Sequence, residues 1–370
     1  MANIVIDLNS KIISPSQKIW VVHHGRNRNY LDYFWDQQAV FLEFPGLNLN
    51  PVAVSDDSVI RQYVRYAQAI RANKGIVRPD GTPIRIADFP GHTGHDVAIH
   101  LRTVKHLASR IIEGDLIMVP GRGAAGEVLL GEAAGPFFPQ QTLRVPGIDY
   151  APTPVRKVTW LQRRSKLDMP AQLVRYFEKP PAIAEIPRNP LTEGFFDFAY
   201  DAYSMPGRAW LSIDAPKYDG RDFLGVVPPA QLLALAVSIY RALEVGADIS
   251  GLDYDQIIAA FYSEDILADA QVTFASPGRY NLKDKDGYLA QFINAFVAAA
   301  MAGALTACSA GANVDTHNSL AANDPSSAVI GEMIQQAAHS TGGAVLAKAE
   351  KQASDASRKM NLKPPAKARK

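Results

Sequence analysis

The chain has 370 residues, of which 47% are hydrophobic and 20% are charged, and its formal net charge is +1. This composition excludes an intrinsically disordered protein, and the length predicts two domains. The single cysteine, Cys308, excludes an intramolecular disulfide and any zinc site built from several cysteines, and it fits a reducing compartment. The first residues lack a basic stretch followed by an apolar one, so we expect no secretory signal and a cytoplasmic protein.

The small net charge hides three segments of different sign. Residues 1–187 hold 22 basic and 17 acidic residues, residues 188–347 hold 8 and 18, and residues 348–370 hold 8 and 2. Because the sign of the local field decides which partners approach, this pattern predicts different partners for the three segments. The alternative is that the acidic middle segment only favours solubility.

The first half of the chain predicts strands and helices in an ordered series. Residues 19–22 and 39–42 are β-prone runs, and the stretch 30–35 between them places aromatic side chains on one helical face. Apolar residues at helical spacing predict one helix over 58–71 and a longer one over 96–112. Further strands are predicted at 116–119, 128–132 and 153–161. A small mixed β-barrel with two helices is the economical arrangement of these elements.

This order resembles the PUA-like domains, the group containing EVE and YTH modules, found at the front of many prokaryotic restriction and phage-defence proteins. The points of resemblance are the opening KIW with its Gly-containing turn, GDLIMVP, the pair Gly131 and Glu132, and VRKVTWL. The resemblance covers about half of the chain. It departs in the basic turn HHGRN and in an insertion-like stretch from 45 to 90. It implies a domain that holds nucleic acid and reads a base, including a modified one, in an aromatic pocket.

Nucleic-acid contact needs cations for the phosphates and aromatic faces on which a base stacks. An Asn in the basic turn could also read a base edge. The candidate contacts are Trp20, Arg26, Asn27, Arg28, Trp35, Phe44, Arg122, Arg156, Lys157 and Trp160, with Asn29, Phe137, Arg163 and Arg164 as further members. The alternatives are that Trp20 and Trp160 belong to the apolar core, and that Arg156 and Lys157 only flank a solvated strand edge.

The stretch GHTGHDVAIH concentrates histidines at the start of the long helix. Asp96 and His100 are four residues apart, a spacing that can hold a divalent metal ion. However, no second cluster completes a recognisable metal site, and Asp96 also suits the first turn of a helix. We therefore expect His92 and His95 to be capping or surface residues, and we expect no metal or other cofactor.

The second half begins after a proline-rich stretch that ends near residue 190. A strand is predicted at 209–213, and helices are predicted at 228–245 and 254–267. The nearest candidates for nuclease chemistry are Asp214 and Lys217, but their spacing is wrong by one and Pro216 interrupts the strand. No phosphate-binding Gly-Lys-Ser loop or His-Glu-x-x-His helix is present in the sequence. We expect a binding protein rather than an enzyme.

Two further segments stand out in this half. Residues 288–314 contain no charged side chain and are long enough to cross a bilayer, although Gln291 and Asn294 interrupt them. We expect a buried helix or an oligomer interface, and a membrane-inserting helix is the alternative. The polar, basic segment 346–370 predicts a disordered tail that could contact nucleic acid, anionic lipid or the acidic middle segment.

Together these patterns predict an α+β protein. A PUA-like nucleic-acid-binding domain spans 1–187, a mainly helical acidic domain for assembly or effector function spans 188–345, and a disordered basic tail spans 346–370. The expected function is a sensor or adaptor in a prokaryotic anti-phage defence or restriction system. It would bind nucleic acid, DNA with modified bases included, and act as a homo-oligomer or with other defence proteins. The alternatives are a metal-dependent nuclease with an unrecognised site and a membrane-inserting effector.

Overall fold

The computed structural model describes residues 3–23, 25, 30–47, 55–89, 91, 97–123, 125–178, 181–218, 225–263, 269–273, 278–284 and 288–369. The chain divides into two compact units. The inserted unit is Ser16–Ala199, and the discontinuous unit combines Met1–Pro15 with Tyr200–Lys370. This division differs from the predicted boundary at 187, because the first fifteen residues belong with the second half of the chain.

Strands occur in both units. They are β1 Asn3–Asp7, β2 Lys11–Ile12, β3 Ile19–Val22, β4 Ala39–Phe41, β5 Leu116–Pro120, β6 Glu127–Ala133, β7 Thr142–Leu143, β8 Thr153–Ser165, β9 Ile183–Ile186, β10 Ala202–Met205, β11 Arg208–Ala215, β12 Asp269–Thr273, β13 Gly278–Asp284, β14 Asn313–His317 and β15 Lys367–Arg369.

Helices alternate with these strands, which makes the fold a mixed α+β one. They are α1 Leu31–Gln37, α2 Asp57–Asn73, α3 Ala98–Lys105, α4 Ala171–Val174, α5 Gly194–Ala199, α6 Val227–Glu244, α7 Tyr254–Phe261, α8 Tyr288–Met301, α9 Leu305–Ser309, α10 Pro325–Ser340 and α11 Gly343–Met360.

The inserted unit is built on one curled half-barrel sheet. Its strand order is β4-β8-β6-β5-β3-β9, with β7 paired to β8. β3 runs parallel to β5, and the other neighbours are antiparallel. The strands predicted at 19–22, 39–42, 116–119, 128–132 and 153–161 are all present. The sequence predicted a small barrel, whereas the observed sheet is a half-barrel.

The helices of the inserted unit follow the predicted apolar spacing. In α2, Ile60, Val64, Ala67 and Ile70 are fully buried, as their spacing of three and four residues requires. Asp56 caps this helix, because its side chain accepts a hydrogen bond from Ser58 N–H. The long helix predicted at 96–112 is found as α3 followed by a single π-helical turn, His106–Arg110.

The discontinuous unit contains two sheets as well as helices, so the prediction of a mainly helical domain was incomplete. One sheet has the order β14-β1-β15, and the other has the order β12-β13-β11-β10-β2. In the first sheet β1 is parallel to β14 and antiparallel to β15. The partners of β1 lie more than 300 residues away along the chain, and local periodicity cannot reveal such pairing.

The uncharged stretch after residue 287 is a buried helix rather than a membrane span. From Leu289 to Ala300 every residue of α8 is buried within the unit. The chain then forms the short α9 and enters β14, so the uncharged stretch is divided among three elements. Within the described residues, no helix has both the length and the apolar content needed to cross a membrane.

The prediction of a disordered tail at 346–370 was wrong. Residues from Gly343 to Met360 form α11, and Lys367–Arg369 pairs with β1. Three of the seven buried residues of α11 are alanines, Ala349, Ala353 and Ala356, and the polar Gln352 lies among them. Alanines add little to mean hydropathy, and Lys and Arg residues surround them in the sequence. The segment therefore reads as polar although one face of the helix is buried.

Candidate nucleic-acid interface

A cavity of about 700 Å³ lies in the inserted unit. Its walls come from the turn after β3, the end of β4, helices α2 and α3, and the segment before β9. The lining residues are His23, Gly25, Phe41, Leu42, Glu43, Phe44, Gln68, Arg71, Ala72, His100, Thr103, Glu178 and Ala182. Five segments that are distant in the sequence therefore meet at one site.

Gly25 lets the turn after β3 approach the cavity closely. Its φ of +72° lies in the left-handed region, where glycine is favoured. A Cβ added at this position would lie 1.7 Å from Glu43 Oε1. Any side chain at residue 25 would therefore have to displace the Glu43 carboxylate.

Glu43 and Arg71 form an ion pair inside the cavity lining. The Glu43 side chain is the more enclosed, with 15% exposure against 41% for Arg71. Tyr30 lies close to this pair: burial raises the pKa of its hydroxyl, and the negative charge of Glu43 raises it further while Arg71 opposes the change. The cavity thus offers a partly enclosed carboxylate next to an exposed guanidinium.

The other side of the cavity is apolar and aromatic. Phe41 and Phe44 are 2% and 8% exposed, and the Phe44 ring meets the His100 ring edge to face, with centroids 5.3 Å apart. On the same helix as His100, Thr103 Oγ1 donates to Ile99 O at 2.8 Å. These side chains make part of the cavity lining apolar.

This combination suits a planar heterocycle that bears hydrogen-bonding groups. A carboxylate accepts hydrogen bonds from amino or imino groups, the Gln68 amide both donates and accepts, and a guanidinium donates to carbonyl oxygens or to phosphate. The volume falls within the range of small-molecule sites, roughly 300–1,000 Å³, and exceeds that of one nucleobase.

Among the predicted contacts, Phe44 lines this cavity, whereas Trp20 and Arg156 are in the core. Trp20 is fully buried, and its Nε1 donates to Asp115 Oδ2 at 2.9 Å, so the prediction that it stacks on a base is corrected. Arg156 is 2% exposed and donates to Leu107 O and Gly135 O. Burial lowers the pKa of Arg156 to about 10, opposed by the charge of Asp115. Its guanidinium is unavailable to phosphates.

Trp35 and Trp160 are half-buried and pack on each other rather than lining the cavity. Their rings are stacked with centroids 6.3 Å apart, and Trp160 Nε1 donates to Phe34 O at 2.8 Å. Gly131 faces Trp160 across the sheet, and a Cβ there would lie 2.6 Å from the indole ring. The Gly131 of the sequence pattern therefore makes room for this tryptophan.

The remaining predicted residues of the inserted unit are spread over its surface. Lys157 Nζ donates to Gln37 O, and Arg122 is exposed in the turn between β5 and β6. Arg163 forms ion pairs with Asp32 and Glu127, and its pKa is raised chiefly by the hydrogen bond to Glu127. Phe137 is half-buried against the core, and Arg164 is half-buried on β8. None of these residues lines the cavity.

The basic turn itself lies largely outside the described residues. Arg26, Asn27, Arg28 and Asn29 belong to that undescribed part, so their role as contacts stays a prediction. The two described residues of the same turn, His23 and Gly25, both line the cavity. The predicted contact region and the cavity are therefore adjacent along the chain.

His100, Asp214 and Lys217 are the candidates for metal or nuclease chemistry that lie within the described residues. His92, His95 and Asp96 lie outside the described residues, and His100 packs against Phe44. Asp214 forms an ion pair with Arg279 at 2.7 Å, and Lys217 N–H donates to Met360 O. Within the described residues, no group of three or more His, Cys, Asp or Glu side chains could hold a metal ion.

Sequence reasoning missed most of the polar residues in the cavity, namely Glu43, Gln68, Arg71 and Glu178. A partial signal exists in α2. Gln68 and Arg71 are three residues apart and follow the buried Val64 and Ala67, so they share a face beside the core stripe. Nothing in the sequence connects that face with Glu43 or His100, because the sheet and helix packing brings them together.

Comparisons of the chain with family models, with curated proteins and with solved structures found no match. The resemblance to PUA-like domains therefore stays a prediction from the order of the elements.

Proposed function

We propose that the chain binds nucleic acid and places an unpaired or extruded base in the cavity beside Gly25. The observation that carries this proposal is the lining, which combines the aromatic Phe41 and Phe44 with the polar Glu43, Gln68 and Arg71. Base–aromatic contact contributes about 1–3 kcal/mol per base, and carboxylate and amide groups distinguish base edges. The resemblance to PUA-like domains points to the same class of ligand.

The distribution of charge supports the assignment to the inserted unit. Residues 16–199 hold 22 basic and 18 acidic residues, whereas the rest of the chain holds 16 and 19. On α3 the exposed Arg102 lies between the cavity residues His100 and Thr103 in the sequence, and Arg71 lies at the end of α2. We propose that Arg71, which lines the cavity, and the exposed Arg102 contact phosphates beside a bound base.

The biological role that we propose is that of a sensor or adaptor in prokaryotic defence, with DNA and its modified bases as ligands. The inserted unit would recognise the nucleic acid, and the discontinuous unit would mediate assembly with copies of the chain or with other defence proteins. This part of the proposal derives from the family resemblance alone. The ion pair of Asp214 with Arg279 gives the nuclease alternative no support.

The test measures binding of the full chain to fluorescent single-stranded DNA, plain duplex, and duplex carrying one modified or unpaired base. We expect affinity to fall as salt increases, because cations displace counterions from phosphates. Substitution of Ala72 by Phe fills the cavity without changing charge. It should weaken binding of the unpaired-base duplex about tenfold, the loss of roughly one stacked base, and leave plain duplex unaffected.

Ala69→Phe on the same helix is the matched control, since Ala69 does not line the cavity. It should bind like the unaltered chain. Binding that is absent or insensitive to salt would contradict nucleic-acid recognition itself. Equal binding by the Ala72→Phe and unaltered chains would contradict the placement of a base in this cavity.

A further inference from the structure

A second cavity, of about 840 Å³, lies in the discontinuous unit between β14 and α10. β14 is at one end of the sheet order β14-β1-β15, so one of its edges faces away from β1. Val314, Asp315 and Thr316 line the cavity from the strand, and residues 328–340 of α10 line it from the helix. We call this space the edge groove.

The pairing of β14 with β1 defines which backbone groups face the edge groove. Leu8 N–H donates to His317 O at 2.9 Å, and the two strands are parallel in the register Asp7 with His317. In a parallel ladder alternate residues of a strand bond to the same neighbour. The backbone groups of Val314 and Thr316 therefore turn to the opposite, outer edge.

The side chain of Gln335 already acts there as a substitute for part of another strand. Its Oε1 accepts from Val314 N–H at 3.1 Å, and its Nε2 donates to Ala312 O at 3.4 Å. The amide thus satisfies one donor and one acceptor of the outer edge, as a peptide group of a neighbouring strand would. Among the described residues, none forms a hydrogen bond with the next groups along this edge, Val314 O and Thr316 N–H.

The length and charge of the edge groove define its occupant. Residues 328–340 of α10 span about 18 Å at 1.5 Å per residue, which equals five or six residues of extended chain. Among the described residues, two exposed carboxylates, Asp315 and Glu332, and one histidine, His339, line the groove, and no Lys or Arg does. A strand bearing cations on both of its faces would meet one carboxylate on each side.

A second copy of β14 is a poorer fit to the same edge. An antiparallel pair centred on the strand would place Asp315 opposite Asp315 of the other copy, and like charges directly opposite each other destabilise a strand pair. The charge of the groove therefore favours a basic partner over self-pairing.

We propose that the edge groove binds an extended peptide segment of five or six residues with Lys or Arg on both faces, which extends the sheet beyond β14. Main-chain hydrogen bonds to Val314 O and Thr316 N–H hold the segment, and Asp315 and Glu332 select its charge. This surface lies in a different unit from the base cavity and does not depend on the proposed function.

The test uses the full chain and the fluorescent hexapeptide Lys-Lys-Val-Val-Lys-Lys, which as a strand carries Lys on both faces, with fluorescence anisotropy as the readout. Two comparison peptides separate the contributions. One has the same residues with alternate backbone amides N-methylated, and we expect it to bind at least about tenfold more weakly, because main-chain hydrogen bonds are lost. The other has each Lys replaced by Glu, and we expect no binding.

Variants of the chain localise the binding. Glu332→Gln should weaken binding of the Lys-Val peptide about two- to fivefold, the range of one exposed ion pair. Glu244→Gln on α6 is the matched control and should leave binding unchanged. Thr316→Pro removes the outward N–H and should abolish binding, with thermal unfolding used to verify that the variant is folded.

Three results would overturn the proposal. The first is equal binding of the N-methylated peptide, which would indicate charge attraction without strand addition. The second is unchanged peptide binding by the Glu332→Gln chain and also by a Thr316→Pro chain that is folded. The third is failure of every peptide to bind while sedimentation shows that two copies associate and that Thr316→Pro prevents it, which would assign the edge to self-pairing.

Discussion

A side chain at residue 25 would have two effects: it would strain the backbone, and it would occupy the space of the Glu43 carboxylate. These two effects differ in size. Any L-residue at φ +72° is strained, at about 1–2 kcal/mol. The close contact, by contrast, is with the far end of a flexible glutamate, which can rotate away. The backbone conformation therefore governs stability, whereas the contact governs the arrangement of Glu43 and Arg71.

We predict that Gly25→Ala and Gly81→Ala lower the free energy of unfolding by similar amounts, about 1 kcal/mol each, measured by urea unfolding. Gly81 is the matched control, because its φ is +82° and an added Cβ meets no atom within 4 Å. Only Gly25→Ala should weaken binding of the unpaired-base duplex, since only there is the carboxylate displaced. A binding defect of equal size in both variants would contradict this account.

At the scale of elements, α8 carries two buried side-chain amides that differ in their hydrogen bonding: within the described part of the chain both groups of Asn294 are bonded, but only the Nε2 of Gln291 is. Asn294 is fully buried, and its side chain donates to Leu8 O and accepts from Ala366 N–H, both at 2.9 Å. It links α8 to the chain after β1 and to the segment before β15. Gln291 is also buried, but its Oε1 has no hydrogen-bond partner among the described residues.

We predict that Asn294→Leu lowers the free energy of unfolding by about 2–4 kcal/mol, because two buried backbone groups lose their partners. Gln291→Met should change it by less than about 1 kcal/mol, since loss of the 3.3 Å hydrogen bond from Nε2 to Ser204 Oγ is offset by removal of a buried oxygen that lacks a partner. Urea unfolding of the two variants beside the unaltered chain measures the difference. Equal effects would show that the polarity of α8, rather than its specific bonds, determines stability.

Local pattern predicts elements well where the apolar stripe consists of large residues. α2 is the clear case, since the spacing of Ile60, Val64 and Ile70 predicts its buried face. Local pattern fails for α11, in which three of the seven buried residues are alanine and one is Gln352, and for β15, which pairs with β1. Composition alone therefore predicted disorder for residues 346–370, whereas tertiary contacts hold this segment in a helix and a strand.

The candidate site is harder to predict than the elements that surround it. Phe44 could be selected from the sequence, because aromatic residues are the expected partners of a base. Glu43, Gln68 and His100 reach the cavity from different elements. Local pattern shows that Gln68 shares a helix face with Arg71, but not that this face meets Glu43 or His100, since their meeting depends on how α2 and α3 pack near the end of β4.

On the scale of the whole molecule, the first fifteen residues belong to a unit whose other residues begin at 200. β1 lies between β14 and β15, and its Ile4 and Ile6, with Leu8 just after it, are fully buried. Burial of each such side chain contributes about 1.5–3 kcal/mol, so the three together are comparable with the total stability of a domain, about 5–15 kcal/mol. The discontinuous unit should not fold without this segment.

We predict that residues 16–199 fold alone, that residues 200–370 do not, and that joining residues 1–15 to residue 200 restores folding. Ile13 N–H donates to Ser204 O, so the two segments run side by side and a flexible linker of about eight residues can connect them. Circular dichroism and urea unfolding of the three fragments measure the outcome. Cooperative unfolding of 200–370 without residues 1–15 would show that β1 is dispensable, and its central position in the three-stranded sheet would then contribute little to folding.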